Sequence, residues 1–324
     1  LHFATQPLLM KYTFFTLLFI LTFAANGQIL ENETNPTKKD TSYWSHKNQA
    51  GLDFSQIAFV NWNAGGNSSI SGLLKGDFVR KYVKGNVIWN NEMSIRYGVN
   101  KQEGRELRKT DDAFTFLSHY GYRKVESSNW FYSARFNFNT QFTNGYAYPN
   151  TDKSISTIFA PAYIFLGVGS EYNRKDKNFN IYFSPLTVKT TLVLNQRLAD
   201  LGSFGVTKAL FDEEGNLLRR GRKSRNEVGL LVTNYWKKEF YKNMFVENRL
   251  SLYSDYINNF GNIDVDWQIQ MEMVVNKYVR ANIGVHLIYD DDIKAKEEVN
   301  GQQVTVGPKI QLKQALGIGL IYSF

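Results

Sequence analysis

Chemistry in a polypeptide requires nucleophiles, acids, bases or ligands gathered at one place, and this 324-residue sequence offers few such sets. Its four histidines are His2, His46, His119 and His286. An imidazole beside a serine or carboxylate can serve as a general base, which makes His119 and His286 the candidates for a hydrolytic site. The run Asp290-Asp291-Asp292 offers three carboxylates to Ca²⁺, which takes about six to eight oxygens. Nothing around that run supplies the remaining ligands. Charges recur at alternate positions in Glu247-x-Arg249 and Asp264-x-Asp266, with Glu272 and Arg280 beyond them. Such a set either pairs internally or lines a polar path. No P-loop, H-E-x-x-H or G-x-S-x-G motif is present. Without cysteine there is no thiolate ligand, disulfide or lipid-anchored cysteine. No cofactor is expected.

What these residues can do depends on the elements that carry them. In "NIDVDWQIQMEMVV", Ile263, Val265, Trp267, Ile269, Met271 and Met273 fall at every second position, with Asp264, Asp266, Gln268, Gln270 and Glu272 between them. Side chains alternate across a strand, so this is one strand with an apolar and a polar face. A soluble sheet would bury the apolar face. A membrane barrel would turn it to lipid and its polar face to a lumen.

The rest of the chain decides between these. Similar segments are expected over 49–62, 68–82, 86–99, 112–125, 129–142, 160–173, 178–194, 226–240, 243–256, 262–275, 279–290 and 313–324. Most are longer than soluble strands and long enough to cross a bilayer at a tilt, which takes about 9–11 residues. Connections after every second segment are tight ("VKGN", "ESSN", "RKDK", "YKN", "NKY"). The others tend to be long and polar. Short turns at one end and long loops at the other are characteristic of outer-membrane barrels. The sequence therefore predicts an all-β, transmembrane antiparallel β-barrel of about 12 strands, with both termini at the short-turn, periplasmic end. In 178–194 the apolar phase changes at Ser184-Pro185, which predicts a β-bulge there. The final strand ends "LGIGLIYSF", and Tyr322 and Phe324 on its apolar face are the expected assembly signal read by the barrel-assembly machinery. Trp89 and Trp236 are expected in the interfacial girdle.

The N-terminal region carries an address. From Met10, Lys11 precedes an apolar run to Ala25, and Ala25-Asn26-Gly27 offers small residues for cleavage. This pattern predicts a signal peptide over residues 1–27, the first nine being an upstream misreading of the start. Residues 28–48 are expected to be a flexible periplasmic tail, and 49–324 the barrel. The net charge of +8 invites a nucleic-acid reading. The basic clusters "GRELRK" (104–109) and "RRGRKSR" (219–225) fall in loops, without an amphipathic helix or interleaved aromatics. Anionic lipid, lipopolysaccharide and surface glycans suit them better than nucleic acid. The mean hydropathy of −0.36 fits a barrel, because only alternate strand residues meet lipid.

The stretches "SQIAFVNWNAGG" (55–66), "FSPLTVKTTLVLNQRLADLGSFGV" (183–206), "NIDVDWQIQ" (262–270) and "YDDDI" (289–293) resemble the Bacteroidota outer-membrane proteins grouped as domain of unknown function 3078. The resemblance implies a barrel in the outer membrane of such bacteria. It implies no activity and no catalytic residues.

On this frame the candidates can be placed. Ile263, Val265, Trp267, Ile269, Met271 and Met273 face lipid. Asp264, Asp266, Glu247, Arg249, Glu272 and Arg280 face the lumen, the last four close enough near the periplasmic end to pair. Glu92, Arg96 and Arg135 are also expected inside. His119 and His286 lie on segments five steps apart around a twelve-strand ring, too far for a joint site. The first expectation for function is a non-enzymatic structural or accessory subunit that binds other envelope proteins through its long loops. The alternatives are a narrow pore or transporter for small polar solutes and a lipid-modifying enzyme.

Overall fold

Alternating sequence builds two-faced strands, and here twelve of them close on themselves. A computed structural model describes residues 42–58, 67–258, 260–299 and 302–324. The strands are β1 (Trp44–Ile57), β2 (Ser69–Lys84), β3 (Val87–Gln102), β4 (Arg108–Tyr122), β5 (Trp130–Thr140), β6 (Ala162–Arg174), β7 (Phe179–Leu192), β8 (Leu210–Phe211), β9 (Leu217–Arg219), β10 (Ser224–Tyr241), β11 (Met244–Asp255), β12 (Asp264–Val274), β13 (Val279–Tyr289), β14 (Lys294–Val299), β15 (Gln302–Pro308) and β16 (Gln311–Ser323). The closed antiparallel barrel runs β1-β16-β13-β12-β11-β10-β7-β6-β5-β4-β3-β2. The pairs β8–β9 and β14–β15 are separate hairpins within the loops. The proposed signal peptide and most of the proposed tail lie outside the described residues. Residues 44–48 of that tail belong to β1, where they pair with β2 from Tyr82 to Phe78. Trp44 and His46 face the same side as Tyr82 and Arg80, which extends the alternation beyond the expected start at 49. No described helix is long and apolar enough to cross a membrane.

The outer face is apolar. Leu316, Ile318, Leu320 and Tyr322 of β16 are exposed, Leu316 by 75%. Leu74, Leu166, Val168, Phe183, Leu186, Ile263, Trp267 and Ile269 continue this surface around the wall. Several outward polar groups satisfy each other, as groups without water must. Trp267 Nε1 donates to Asn248 Oδ1 at 2.9 Å, and Asn248 Nδ2 donates to Asn234 Oδ1 at 3.1 Å. Trp89 Nε1 donates to Ser118 Oγ, which donates to Asn91 Oδ1.

The phase change in β7 is a bulge. Two residues, Ser184 and Pro185, stand opposite the single Gly169 of β6, between the pairs Val168↔Leu186 and Ser170↔Phe183. Gly169 is required there, because a Cβ would run into the Phe183 carbonyl oxygen. The bulge restores Val188 to the outside and turns Thr187 and Lys189 inward.

The tight connections (85–86, 123–129, 175–178, 242–243, 275–278) gather at one end, together with the start of β1 and the end of β16. At the other end, the loop 193–223 is folded rather than extended. Its helix α1 (Gln196–Asp200) begins at Asn195, whose side chain accepts from the Leu198 amide. Leu198, Ala199, Val193, Val206 and Ala160 form a small buried core, with Phe204 packed against it.

Candidate functional site

The lumen holds the charged residues, and they sort by height along the barrel. Near the short-turn end, Glu171 of β6 is fully buried. Its Oε2 accepts from Arg135 Nη2 at 2.9 Å, from His119 Nε2 at 2.5 Å and from Ser133 Oγ at 3.3 Å. Its Oε1 accepts from Asn173 Nδ2 at 3.0 Å and from Asn180 Nδ2. Five donors on one carboxylate are what keeps a buried charge tolerable. Arg135 reaches further, to Thr233 Oγ1 of β10 at 3.0 Å, and its guanidinium lies 4.1 Å from the centre of the Tyr182 ring. This group ties five strands, β4, β5, β6, β7 and β10, together across one side of the lumen.

At the same level on the neighbouring wall, the expected charges form a chain. Arg249 Nε lies 2.7 Å from Glu247 Oε1, and Arg280 Nη1 lies 2.9 Å from Glu272 Oε1. Lys237 of β10 links the two pairs, at 3.6 Å from Glu247 and 3.4 Å from Glu272. The structure does not bring Asp264 or Asp266 into this set. They stand six or more residues further along β12, toward the long-loop end.

There, Lys189 of β7 is the hub. Its Nζ lies 2.7 Å from Asp264, 3.3 Å from Asp290 and 3.8 Å from Glu227, and it is itself almost fully buried. Arg225 extends the cluster from Glu227 at 3.3 Å to Asp292 at 2.5 Å, and its Nη1 donates to the Gly205 carbonyl of the folded loop. The three consecutive aspartates therefore diverge. Asp290 goes to Lys189, Asp292 to Arg225, and Asp291 accepts from Asn262 Nδ2 at 2.6 Å. Among the described residues, no group of carboxylates or histidines gathers in a metal-binding geometry.

Other lumen charges are wetter. Asp266 pairs with His286 at 2.8 Å, and Lys313 of β16 reaches Asp111 of β4 at 2.8 Å, with Arg96 3.4 Å from the same carboxylate. The Asp266, Arg249 and Lys313 side chains stay about half exposed although the wall surrounds them. Water therefore reaches these groups.

The histidines do not assemble a hydrolytic site. His119 and His286 are on β4 and β13, five steps apart in the ring. At His119, both the serine and the carboxylate meet the same ring nitrogen, Nε2. That nitrogen donates to Glu171 and so cannot accept the Ser133 proton, while Ser133 donates to Glu171 itself. A relay needs the base and its orienting acid on opposite nitrogens.

Alternation placed several of the expected residues, but the two hubs were not singled out. The phase of Val228, Leu230 and Val232 turns Glu227 and Lys237 inward, and the phase after the bulge does the same for Lys189. Glu171 carries a similar signal, flanked in alternation by the outward Val168, Ser170 and Tyr172. At the other end of the chain, the Tyr322 and Phe324 rings stack at 5.7 Å on the outer face, and the Phe324 amide donates to the Asn48 carbonyl.

Outside the strands, the folded loop has its own carboxylate anchors. The Gly221 amide and Gln196 Nε2 donate to Asp200 Oδ1 at 2.7 and 2.8 Å, which holds that carboxyl below its usual range. Hydrogen bonds from the Asn216 amide and side chain do the same to Asp212.

The family described as "Protein of unknown function (DUF3078)" matches residues 54–146, from the end of β1 through β5. The resembling stretches at 183–206, 262–270 and 289–293 lie outside that match. No curated protein matches the chain. The translocator domain of the autotransporter NalP from Neisseria meningitidis is similar in structure with a TM-score of 0.37 and 9% identity, covering 97% of this chain and 98% of that one. An outer membrane channel from Pseudomonas putida F1 is similar with a TM-score of 0.41 and 10% identity, covering 90% of this chain and 100% of that one. These likenesses concern the barrel alone.

Proposed function

We propose that the chain is an outer-membrane barrel that acts as a structural or accessory subunit of an envelope assembly, meeting a protein partner through its long loops. An apolar outer wall of strands of eleven residues or more supports the membrane placement. A signal peptide over 1–27, a Bacteroidota envelope, periplasmic termini and recognition of Tyr322 and Phe324 by the assembly machinery belong to the same proposal, as does contact of the outer wall with lipids and lipopolysaccharide. The observation that carries the role is the hairpin β8–β9. It exposes Leu210, Phe211, Leu217 and Leu218, with Phe211 exposed by 53% and Leu218 by 61%. These side chains lie in a loop beyond the barrel strands, on an ordered base of hydrogen bonds and core. Phe211 pairs with Leu217, and apolar side chains exposed together on a structured loop suit a protein contact. The following Arg219, Arg220, Arg222 and Lys223 add cations at its rim.

Purification in mild detergent tests this reading. The wild-type protein should carry a stoichiometric envelope protein, and a Phe211→Ser/Leu218→Ser variant should lose it while keeping its barrel. A wild type that purifies alone, or a variant that keeps the partner, would overturn the reading.

The half-exposed lumen residues Arg249, Asp266 and Lys313 favour a second reading, a narrow path for small polar solutes. Steady wild-type conductance in planar bilayers would put that reading first. The third reading, a lipid-modifying enzyme, finds no support in the geometry around His119, and the nitrogen of His286 nearest Asp266 also meets Gln268.

A further inference from the structure

The outer wall near the short-turn end carries a groove of 440 Å³ lined by Trp44, Ser45, His46, Arg80, Trp89, Asn91 and Phe116. The strand register explains how it forms. Trp44 pairs with Tyr82, and His46 with Arg80, across β1 and β2. Arg80 pairs with Asn91, and Tyr82 with Trp89, across β2 and β3. All of these lie on the outward face, in two rows. The row nearer the turn is aromatic, with the Trp44 and Tyr82 rings 5.3 Å apart and the Trp44 and Trp89 rings 5.6 Å apart. The row one step deeper carries His46, Arg80 and Asn91.

An arginine on the lipid-facing side of a barrel needs an explanation, because a cation there is costly unless it meets water or an anion. Arg80 Nη1 donates to Asn48 Oδ1 at 2.7 Å and to the Val79 carbonyl at 2.8 Å. Among the described residues, no carboxylate lies within ion-pair distance of Arg80 or His46. Both bonds use Nη1, and Arg80 lines the groove. Its level is the boundary between the aromatic row and the apolar wall, beginning here with Phe78 and Phe116.

We propose that this groove binds one glycerophospholipid. Arg80 holds the phosphodiester with its planar fork, and His46 and Asn91 offer further hydrogen-bonding groups. The acyl chains run up the wall over Phe78 and Phe116. A guanidinium matches two phosphate oxygens at once, which a lone ammonium does not. The charge complementarity selects a lipid with a phosphate over one without. The inference rests on the membrane placement proposed above.

Native mass spectrometry of the full refolded chain tests it, with dioleoylphosphatidylglycerol as one probe and dioleoylglycerol, with the same chains but no phosphate, as the other. The wild type should retain one phosphatidylglycerol and no dioleoylglycerol. Arg80→Gln should lower that retention about tenfold, the loss of one charge-assisted contact. Lys238→Gln, which removes an outward cation from the far side of the ring, should leave it unchanged. Equal retention of the two lipids by the wild type would overturn the proposal without recourse to any variant. Undiminished phosphatidylglycerol on Arg80→Gln would do so as well. Flotation with vesicles separates the two inferences: a chain that does not float refutes the membrane placement, whereas a chain that floats without a retained lipid refutes only the groove.

Discussion

Lys189 of β7 reaches Asp264 of β12 across 2.7 Å, although two strands, β10 and β11, stand between them in the wall. The contact is a chord across the barrel. With Asp290 and Glu227 on the same ammonium, one buried cation satisfies three carboxylates from different strands and a loop. Removing the cation would leave three carboxylates facing one another, with Arg225 beside Glu227 as the one cation still in contact among the described residues. Lys189→Met keeps the length and apolar stem but not the charge. It should destabilise the barrel by about 3–5 kcal/mol, the cost of breaking a buried pair from one side. Urea unfolding in vesicles measures this. The same variant should leak ions in planar bilayers where the wild type gives no steady current. An unchanged midpoint together with unchanged conductance would mean that the chord closes nothing.

The chain Arg249–Glu247–Lys237–Glu272–Arg280 predicts unequal costs along its length. Glu272 serves two cations and its side chain is mostly buried, so Glu272→Gln strands Arg280 and leaves Lys237 with Glu247 alone. The expected loss is about 2–3 kcal/mol. Arg249 is half exposed to lumen water. Arg249→Gln should therefore cost less than about 1 kcal/mol, as exposed pairs do. Equal losses, measured by the same urea titration, would show that the two ends are equally wet.

How much of this could be read from the sequence depends on distance along the chain. Period-two alternation gave the inside and outside of each strand, and the misphase at Ser184-Pro185 located the bulge, because both are local. Partners across the lumen were not legible. Asp264 and Glu272 share one face of one strand. They sit eight residues apart, so they belong to different levels and meet different cations. Which cations they meet depends on closure and register, which bring Lys189 to the one and Lys237 and Arg280 to the other. The five-residue helix α1 and the β8–β9 hairpin were also invisible, since neither is long enough to show a period. The β1 start was placed late because "SYWSHK" mixes polar and aromatic residues at an interface, where both kinds face outward.

The two faces of β12 predict opposite responses to the same substitution. Ile269 is outward and exposed, and Ile269→Lys should cost about 2–4 kcal/mol through the penalty of an ammonium in lipid. Gln268 faces inward, 3.4 Å from Asp266 and 3.3 Å from the His286 ring. A lysine there gains a carboxylate partner, so Gln268→Lys should be nearly neutral. Refolding yields and unfolding midpoints in vesicles decide this. A larger loss at 268 than at 269 would reverse the assignment of the faces.

The folded loop should loosen in acid, and the sign follows from Asp200. Hydrogen bonds from the Gly221 amide and Gln196 hold its carboxyl below the ordinary value of 3.8. A group whose pKa is depressed by folding stabilises the folded form fully above its unfolded value, and that contribution fades as pH falls through the folded value. Asp212 shifts in the same direction in the same loop. The loop should thus be uniformly protected at neutral pH and lose protection below about pH 4. Hydrogen exchange at the Gly221 amide, followed at each pH and corrected for intrinsic rates, reads this directly. Gly221 also sits where any Cβ would strike the Ala199 carbonyl, so the amide is held against α1 by contact as well as by charge. Asp200→Asn removes the titrating group while keeping an acceptor of the same shape. It should lower protection of Gly221 at neutral pH and flatten its acid dependence. If the variant kept the wild-type acid profile, the transition would belong to another carboxylate, and Asp200 would not be the anchor of the loop.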